Sequence, residues 1–456
     1  MDSETPWTAT DISAGVRAGT LSARSAAADA LSRIVLRDPV IGAFQVVREQ
    51  RALAEANAVD ARSDLAQLPL AGVPVAIKDN IPVEGEPMTV GSQAGDHSPQ
   101  ARDHEVVSRL RAAGAVVVGI TRVPELCVFG ASDSVWGVTH NPWNLSLTPG
   151  GSSGGSAAAI AAGMVPVAHG NDGFGSVRIP AACCGLVGIK PGLGVVPSEV
   201  GVNAWFSMSE NGALATTAAD AALLLSVMAG NPDLATVVEP DRVRIAVSSK
   251  SPVQGVTVDR EWLRATFETA GALMRAGHDV ERREISYPQA TAVGGLALWF
   301  AGAATDAEAM DISQLEPRVR RHVALGRRVI DAPSIGNPLT NTQWRDAWRQ
   351  RAGEFLTEFD LLMTPMLARS PIEAKRWGDG SWLATMAANV RYAPFAAPWN
   401  IAGFPAISVP TGVHTVSGTP LGVQLVAAPG RESLLLGVAA QIERLRPWQS
   451  VAPDYR

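Results

Sequence analysis

Two serines and one lysine are the residues of this chain whose surroundings best suit chemistry. Ser152 and Ser176 each lie in a glycine-rich segment, and Lys78 ends an apolar run that starts at Gly72. Glycine lets the backbone take a positive φ and approach a substrate closely. A serine hydroxyl becomes a good nucleophile when a base removes its proton. Because the base at hand is a lysine at the end of a buried strand, these residues predict acyl-transfer chemistry.

The segments around these residues resemble the amidase signature family, whose hydrolases cleave amide and related acyl bonds with a Ser–cis-Ser–Lys triad. The matching motifs are Ala-Ile-Lys-Asp at 76–79, Gly-Gly-Ser-Ser-Gly-Gly-Ser at 150–156 and Gly-Asn-Asp-Gly-Phe-Gly-Ser at 170–176. The two serines are 24 residues apart, which is the usual family spacing. The resemblance is strongest over residues 70–195, and it continues at 359–365, 400–405 and 421–432.

The resemblance implies a role for each of the three residues. Ser176 is expected to be the nucleophile, Ser152 the bridging serine that follows a cis peptide bond, and Lys78 the base. A lysine base must be uncharged, so its pKa must lie below the ordinary value of about 10.4. Burial among apolar residues lowers a lysine pKa in this way. The alternative is that Lys78 forms a salt bridge with its neighbour Asp79.

The turn that holds the nucleophile is predicted to stabilise the oxyanion of the tetrahedral intermediate. The expected donors are the backbone N–H groups of Gly173, Phe174, Gly175 and Ser176. The family usually has glycine where this chain has Phe174. Because a bulky residue rarely adopts a positive φ, either the turn has a negative φ there or the backbone is strained. We expect the Phe174 ring to narrow the acyl pocket or to cover the nucleophile.

The substrate pocket is less well defined by the sequence. The residues predicted to contact substrate are Trp136, Gly150, Gly151, Trp205 and Phe206. Tryptophan outnumbers tyrosine by 12 to 3, and tryptophans along a pocket would favour apolar or aryl substrates. Any single tryptophan can instead belong to the core. Amides, carbamates (urethanes) and esters all pass through the same tetrahedral intermediate, so the sequence leaves the type of bond open.

Residues 46–65 are rich in alanine and are predicted to be helical, and the apolar runs at 73–77 and 115–120 are predicted to be buried strands. Helices and strands that alternate in this way along the chain indicate an α/β fold. The family resemblance implies one domain over residues 1–456, with a central mixed β-sheet that helices cover on both faces. The signature core would span about residues 70–195, and a variable substrate-pocket region would span about residues 200–400.

Composition narrows the classes of function. The net charge of −6 argues against a nucleic-acid-binding surface. No apolar run is long enough to span a membrane, and the N-terminus has no signal-peptide pattern, so we expect a cytoplasmic protein. The three cysteines do not form a disulfide framework, and no metal-binding motif is present. We therefore expect no metal and no cofactor, a small-molecule amide or carbamate as the partner, and a monomer or homodimer.

One other function stays open within the family. A glutamine-dependent amidotransferase A-type subunit would use the same triad, but it would need a polar pocket for glutamine. Such subunits usually have glutamine after the arginine of this motif, whereas here Ile179 follows Arg178. The sequence therefore favours a stand-alone hydrolase. A β-lactamase-type enzyme is disfavoured because the Ser-Asp-Asn and Lys-Thr-Gly motifs are absent.

Overall fold

A single mixed β-sheet organises the protein. The computed structural model describes residues 8–334 and 336–455. Eleven strands form the sheet in the order β1-β3-β2-β6-β8-β7-β12-β13-β11-β9-β10, and β4 pairs with β5 in a separate hairpin. The strands are β1 Phe44–Val47, β2 Pro74–Lys78, β3 Val116–Thr121, β4 Asp133–Ser134, β5 Gly137–Val138, β6 Val167–Asp172, β7 Val187–Lys190, β8 Glu210–Ala215, β9 Arg244–Val247, β10 Asp279–Arg282, β11 Leu361–Pro365, β12 Ala406–Val413 and β13 Pro420–Val426.

Fifteen helical segments in the described part of the chain surround this sheet; fourteen are α-helices, and the short segment α7, Ala204–Ser207, has a left-handed backbone. They are α1 Ala9–Arg17, α2 Ala23–Ile41, α3 Glu49–Asp60, α4 Glu105–Ala112, α5 Gly154–Ala161, α6 Arg178–Cys184, α7 Ala204–Ser207, α8 Ala218–Ala229, α9 Arg260–Arg275, α10 Gln289–Asp306, α11 Pro317–Ile330, α12 Gln343–Glu358, α13 Trp382–Tyr392, α14 Ala397–Ala402 and α15 Glu432–Leu445. The expected fold class, an α/β protein with a mixed central sheet, is confirmed.

The pairing of β2 with β6 brings the predicted site residues together. These strands run parallel, with Val75 opposite Val167 and Ala76 opposite Ala168. Every residue of both strands is buried, as expected for parallel strands that are covered on both faces. Because the carboxyl ends of neighbouring parallel strands meet at one edge, Lys78 at the end of β2 lies beside the end of β6.

Most predicted elements are present, with two differences in the sheet. A helix was predicted over residues 46–65, but the edge strand β1 includes residues 46 and 47, and the helix α3 extends only from Glu49 to Asp60. The strand β8 was not predicted, although it lies between β6 and β7 in the middle of the sheet. No helix in the described part of the chain is both long and apolar enough to cross a membrane.

Candidate active site

Lys78 reaches from the end of β2 to the first serine loop. Its Nζ lies 2.8 Å from Ser152 Oγ and donates to the carbonyl oxygen of Asn171 at 2.9 Å. The side chain is fully buried, and this burial lowers the pKa of the Lys78 amine below its ordinary value, although Cys127 and Asp172 act in the opposite direction. The geometry therefore favours the uncharged amine that a base requires.

Asp79 is not the partner of Lys78. Its carboxylate accepts hydrogen bonds from the backbone N–H of Thr89, at 2.8 Å, and from the Thr89 hydroxyl. In the part of the chain that the structure describes, no carboxylate lies within ion-pair distance of Lys78 Nζ. The alternative of a Lys78–Asp79 salt bridge is thus wrong, because the two side chains point to different neighbours.

The first serine loop packs tightly against its surroundings. The peptide bond between Gly151 and Ser152 is cis, and Gly150 has a φ of 84°. A Cβ on Gly150 would lie 2.9 Å from the Cα of Pro180, and one on Gly151 would lie 2.7 Å from the carbonyl oxygen of Phe129. Both glycines are buried, so close backbone packing accounts for them, and their contact with substrate remains a prediction.

The second serine lies in a turn that Asp172 organises. The Asp172 carboxylate accepts hydrogen bonds from the N–H groups of Gly175, at 2.6 Å, and Val177, at 3.2 Å. The turn is joined to the first loop because the N–H of Ser153 donates to the Ser176 carbonyl oxygen at 3.1 Å. Ser176 is partly exposed, whereas Ser152 is buried. A substrate can therefore reach Ser176 more readily than Ser152.

One predicted oxyanion donor needs correction. The Gly175 N–H already donates to Asp172, so it is not free to bind an oxyanion. Within the described residues, the N–H groups of Gly173, Phe174 and Ser176 have no acceptor. The candidate oxyanion hole therefore comprises these three groups.

Phe174 fits the turn without a left-handed backbone. It is not among the residues with positive φ, whereas Gly175 has a φ of 116°. The Phe174 ring stacks on Trp299 of α10, with 5.3 Å between ring centroids and 13° between ring planes. Trp299 in turn stacks on Phe300 at 5.8 Å. The departure from the family's usual glycine is thus matched by an aromatic stack that joins the turn to α10.

A network of buried polar groups holds the Ser176 turn from behind. Arg178 forms an ion pair with Asp172, with Nε 2.9 Å from Oδ2, and both side chains are fully buried. Arg178 also donates to Asn400 at 2.6 Å and to Gln424 at 2.7 Å. Burial alone would raise the pKa of the Asp172 carboxyl, but Arg178, together with Lys190 and Asn400, holds it well below its usual range. Asp172 is therefore an anion that keeps the turn closed.

The predicted aromatic contacts lie in three different places. A Cβ on Gly173 would meet the Trp205 ring at 2.9 Å, so Trp205 lies directly against the turn. Phe206 lines a cavity of about 830 Å³ that Leu298 and Trp344 also line. Trp136 lies in the turn between β4 and β5 and packs edge-on against His97, with 6.0 Å between the ring centroids. Substrate contact remains a prediction for all three aromatic residues.

Asn171, Asn400 and Gln424 were not predicted as site residues. Asn400 begins a C-terminal segment that resembles the family, and Gln424 lies within another. That resemblance was the available signal, but only the fold shows that both side chains reach Arg178. No group of three or more His, Cys, Asp or Glu side chains in the described ranges is arranged to hold a metal ion.

Comparison with known proteins decides the family. The Amidase family model matches residues 26–436. The chain belongs to this family. The enzyme is 41% identical over 436 residues to the putative amidase AmiB2 of Mycobacterium tuberculosis (strain ATCC 25618 / H37Rv), with 93% of each chain covered. It is 31% identical to an acylamidase of Rhodococcus erythropolis, with 98% of this chain and 96% of the relative covered.

A solved structure has the same fold. It is a 6-aminohexanoate cyclic dimer hydrolase that superposes with a TM-score of 0.86 and 29% identity, with 98% of this chain and 99% of the other chain covered. The chain is therefore an amidase-family hydrolase that acts on carbon–nitrogen bonds other than peptide bonds, and its substrates are small amides.

The first prediction concerns the buried ion pair. Arg178→Met leaves the Asp172 carboxylate buried without its counter-charge, which costs about 3–5 kcal/mol when such pairs are broken. We expect urea unfolding, followed by circular dichroism, to show a loss of this size in the free energy of unfolding. Arg242→Met is the control, because it breaks an exposed pair with Asp279 that is worth about 1 kcal/mol or less. Equal losses for the two variants would contradict the account.

Proposed function

We propose that the enzyme hydrolyses small amides through a covalent acyl-enzyme on Ser176, with Ser152 and Lys78 as the proton relay. One observation carries this proposal: the buried Lys78 amine, with no carboxylate beside it among the described residues, lies 2.8 Å from Ser152 Oγ. The loop that contains Ser152 is hydrogen-bonded, through the N–H of Ser153, to the turn that contains the partly exposed Ser176. A serine nucleophile is activated by an adjacent general base, and an uncharged lysine serves as that base in Ser–Lys variants of the triad.

The proposed reaction has two halves. In the first, the Ser176 hydroxyl gives its proton to Ser152 as Oγ attacks the carbonyl carbon, and Ser152 gives its own proton to the Lys78 amine. The oxyanion accepts hydrogen bonds from the N–H groups of Gly173, Phe174 and Ser176. When the intermediate collapses, the C–N bond breaks and the leaving nitrogen takes the proton back through the relay. In the second half, water repeats the cycle and releases the carboxylic acid.

We further propose an apolar or aryl acyl group. The support is the stack of Phe174, Trp299 and Phe300, which begins at the candidate oxyanion turn. A relative named as an acylamidase fits hydrolysis of an acyl amide. Cleavage of carbamates or esters would follow from the same steps, since only the leaving group differs. Hydrolysis of a panel of p-nitroanilides, carbamates, esters and glutamine by the purified enzyme tests the choice, and ammonia release from glutamine alone would favour an amidotransferase subunit.

The nucleophile prediction is the most direct test of the reaction. Ser176→Ala should lower kcat roughly 10⁴- to 10⁶-fold, as found when one member of a triad that acts as a unit is removed. A fluorophosphonate probe should label the wild-type enzyme on Ser176, as identified by mass spectrometry of its peptides. Ser98→Ala serves as the control because this exposed hydroxyl donates to Asp96 and not to a residue of the relay. Labelling at another residue, or undiminished turnover by Ser176→Ala, would rule out the assignment.

The role of Lys78 predicts a pH dependence. Because only the uncharged amine accepts a proton, kcat/KM should rise with pH as Lys78 loses its proton and fall at acid pH as it gains one. Lys78→Arg should be as inactive as Lys78→Ala, since a guanidinium stays charged and cannot act as a base. The measurement is kcat/KM for a p-nitroanilide across pH for the three proteins. A flat acid limb down to about pH 5, or near wild-type turnover by Lys78→Arg, would show that Lys78 only supplies charge.

Phe174 generates a prediction about specificity. Phe174→Gly removes the ring that we propose as a wall of the acyl pocket, and it frees the backbone of the turn. We expect an acetyl anilide to lose kcat/KM by up to about 10²-fold because the N–H donors are less well held. A phenylacetyl anilide should lose less, because the larger group gains room. Trp299→Leu is the matched control, since it removes the stacking partner but leaves the backbone of residue 174 restricted. Equal losses for both substrates in Phe174→Gly would mean that the ring only packs behind the turn.

A further inference from the structure

The segment Asn203–Ser207 has an unusual backbone. All five residues have a positive φ, between 43° and 59°, and none is glycine. They form one left-handed turn, in which the N–H of Ser207 donates to the Asn203 carbonyl oxygen at 3.0 Å. A left-handed helix is disfavoured for every residue that has a Cβ. Such a turn persists only where its surroundings hold it in place.

Arg345 holds the end of this left-handed turn. From the first turn of α12, its Nη1 donates to the Phe206 carbonyl oxygen at 2.7 Å and its Nη2 to the Ser207 carbonyl oxygen at 2.8 Å. Its Nε donates to the Ile401 carbonyl oxygen at 2.8 Å. Arg345 is 8% exposed, and burial, followed by the nearby Arg349, lowers its pKa to about 10, so it remains charged at neutral pH. Within the described chain Arg345 has no ion-pair partner, and its guanidinium donates hydrogen bonds to backbone carbonyl oxygens instead.

Asp306 holds the other side of the left-handed turn. Its carboxylate accepts hydrogen bonds from the Val202 N–H at 2.7 Å and from the Trp205 indole Nε1 at 2.6 Å. The Trp205 ring is wedged between two glycines: a Cβ on Gly173 would lie 2.9 Å from the ring, and one on Gly302 would lie 2.7 Å from it. The indole therefore has little room to shift, and it presses on the first residue of the candidate oxyanion turn.

The residues that follow the left-handed turn contact the same site. The Ser209 hydroxyl donates to the side-chain oxygen of Asn171 at 2.8 Å, and the carbonyl oxygen of Asn171 accepts from Lys78. The carbonyl oxygen of Met208 accepts from Asn400, which also bonds Asp172. The left-handed turn thus lies against one oxyanion donor and is bonded to the strand end that holds the base.

We propose that Arg345 and Asp306 are positioning residues that hold the left-handed turn, so that Trp205 fixes the Gly173 end of the oxyanion turn. This inference rests on the proposed function, because it assigns both residues to the acylation step. Neither side chain needs to touch the reacting atoms. Loss of the Arg345 or Asp306 hydrogen bonds should displace the Gly173 N–H by up to about 1 Å, and a displacement of that size lowers the rate of acylation by up to about 10²-fold.

The cavity beside Arg345 makes a specific test practicable. Arg345 lines the same cavity of about 830 Å³ as Phe206, so a small cation can occupy the space that Arg345→Ala leaves. We expect this variant to lose kcat roughly 10- to 100-fold with little change in KM. Hydrogen exchange should accelerate at the amides of Ser207, Met208 and Ser209, which are bonded within the turn. Guanidinium at millimolar concentration should restore both kcat and protection.

Arg349→Ala is the matched control. Arg349 lies one helical turn further along α12 and donates to the Ala402 carbonyl oxygen, not to the left-handed turn. We therefore expect no rescue by guanidinium and no change in hydrogen exchange at residues 207–209.

Two further variants test the same contacts. Asp306→Asn should weaken the hydrogen bond to the Trp205 indole and lower kcat, as Arg345→Ala does. If Arg345→Ala fails to fold, Arg345→Lys keeps the charge but lacks the planar guanidinium that bonds two carbonyl oxygens at once. It should show a smaller loss of kcat and of hydrogen-exchange protection at residues 207–209.

The outcomes separate this inference from the proposed function. Unchanged kcat in Arg345→Ala, or lost kcat with unchanged exchange at residues 207–209, overturns the positioning role. Failure of guanidinium to restore kcat where it restores protection also overturns it. If the wild-type enzyme hydrolyses no substrate of the panel, the proposed function fails by itself, while hydrogen exchange still reports whether Arg345 holds the turn.

Discussion

An amine that is buried without a counter-charge is the constraint on which the rest of the site depends. Transfer of an ammonium ion out of water is costly unless an anion pairs with it, so the setting of Lys78 favours the neutral form. The parallel pairing of β2 with β6 places this amine between Ser152 Oγ and the carbonyl oxygen of Asn171. The interior of the sheet thus excludes water from the amine, and the adjoining loop and strand end supply a hydroxyl and a carbonyl oxygen as its hydrogen-bond partners.

This constraint explains how the other charges of the site are arranged. Asp172 is needed to close the Ser176 turn, yet a carboxylate near Lys78 acts to raise the lysine pKa. Arg178 pairs with Asp172, with both side chains fully buried, and so offsets that effect. Asn400, Gln424 and the carbonyl oxygen of Ala396 bind the remaining guanidinium N–H groups as neutral acceptors. The turn is therefore held firmly by a pair whose net charge is zero.

The sequence was informative where function depends on motifs and less so where it depends on tertiary packing. Lys78, Ser152 and Ser176 could be singled out because their motifs resemble a family. The strand β8 was missed because its sequence, Glu-Asn-Gly-Ala-Leu-Ala at 210–215, is poor in residues that favour strands; pairing with β6 and β7 makes it a strand. Phe174 stacks on Trp299, and the left-handed turn at 203–207 is held by Asp306 and Arg345. These contacts join segments that are far apart in sequence, so no local pattern predicts them.

The charge of Lys78 can be measured directly because the chain has four lysines, at 78, 190, 250 and 375. Labelling with ¹³C,¹⁵N-lysine gives four side-chain signals, and their absence or shift in Lys78→Arg and Lys190→Arg assigns two of them. The account predicts that the Lys78 signal changes to that of a neutral amine at a pH well below the ordinary lysine value of about 10.4, in step with the rise in kcat/KM. An amine that stays protonated up to that ordinary value while the enzyme turns over would contradict the account.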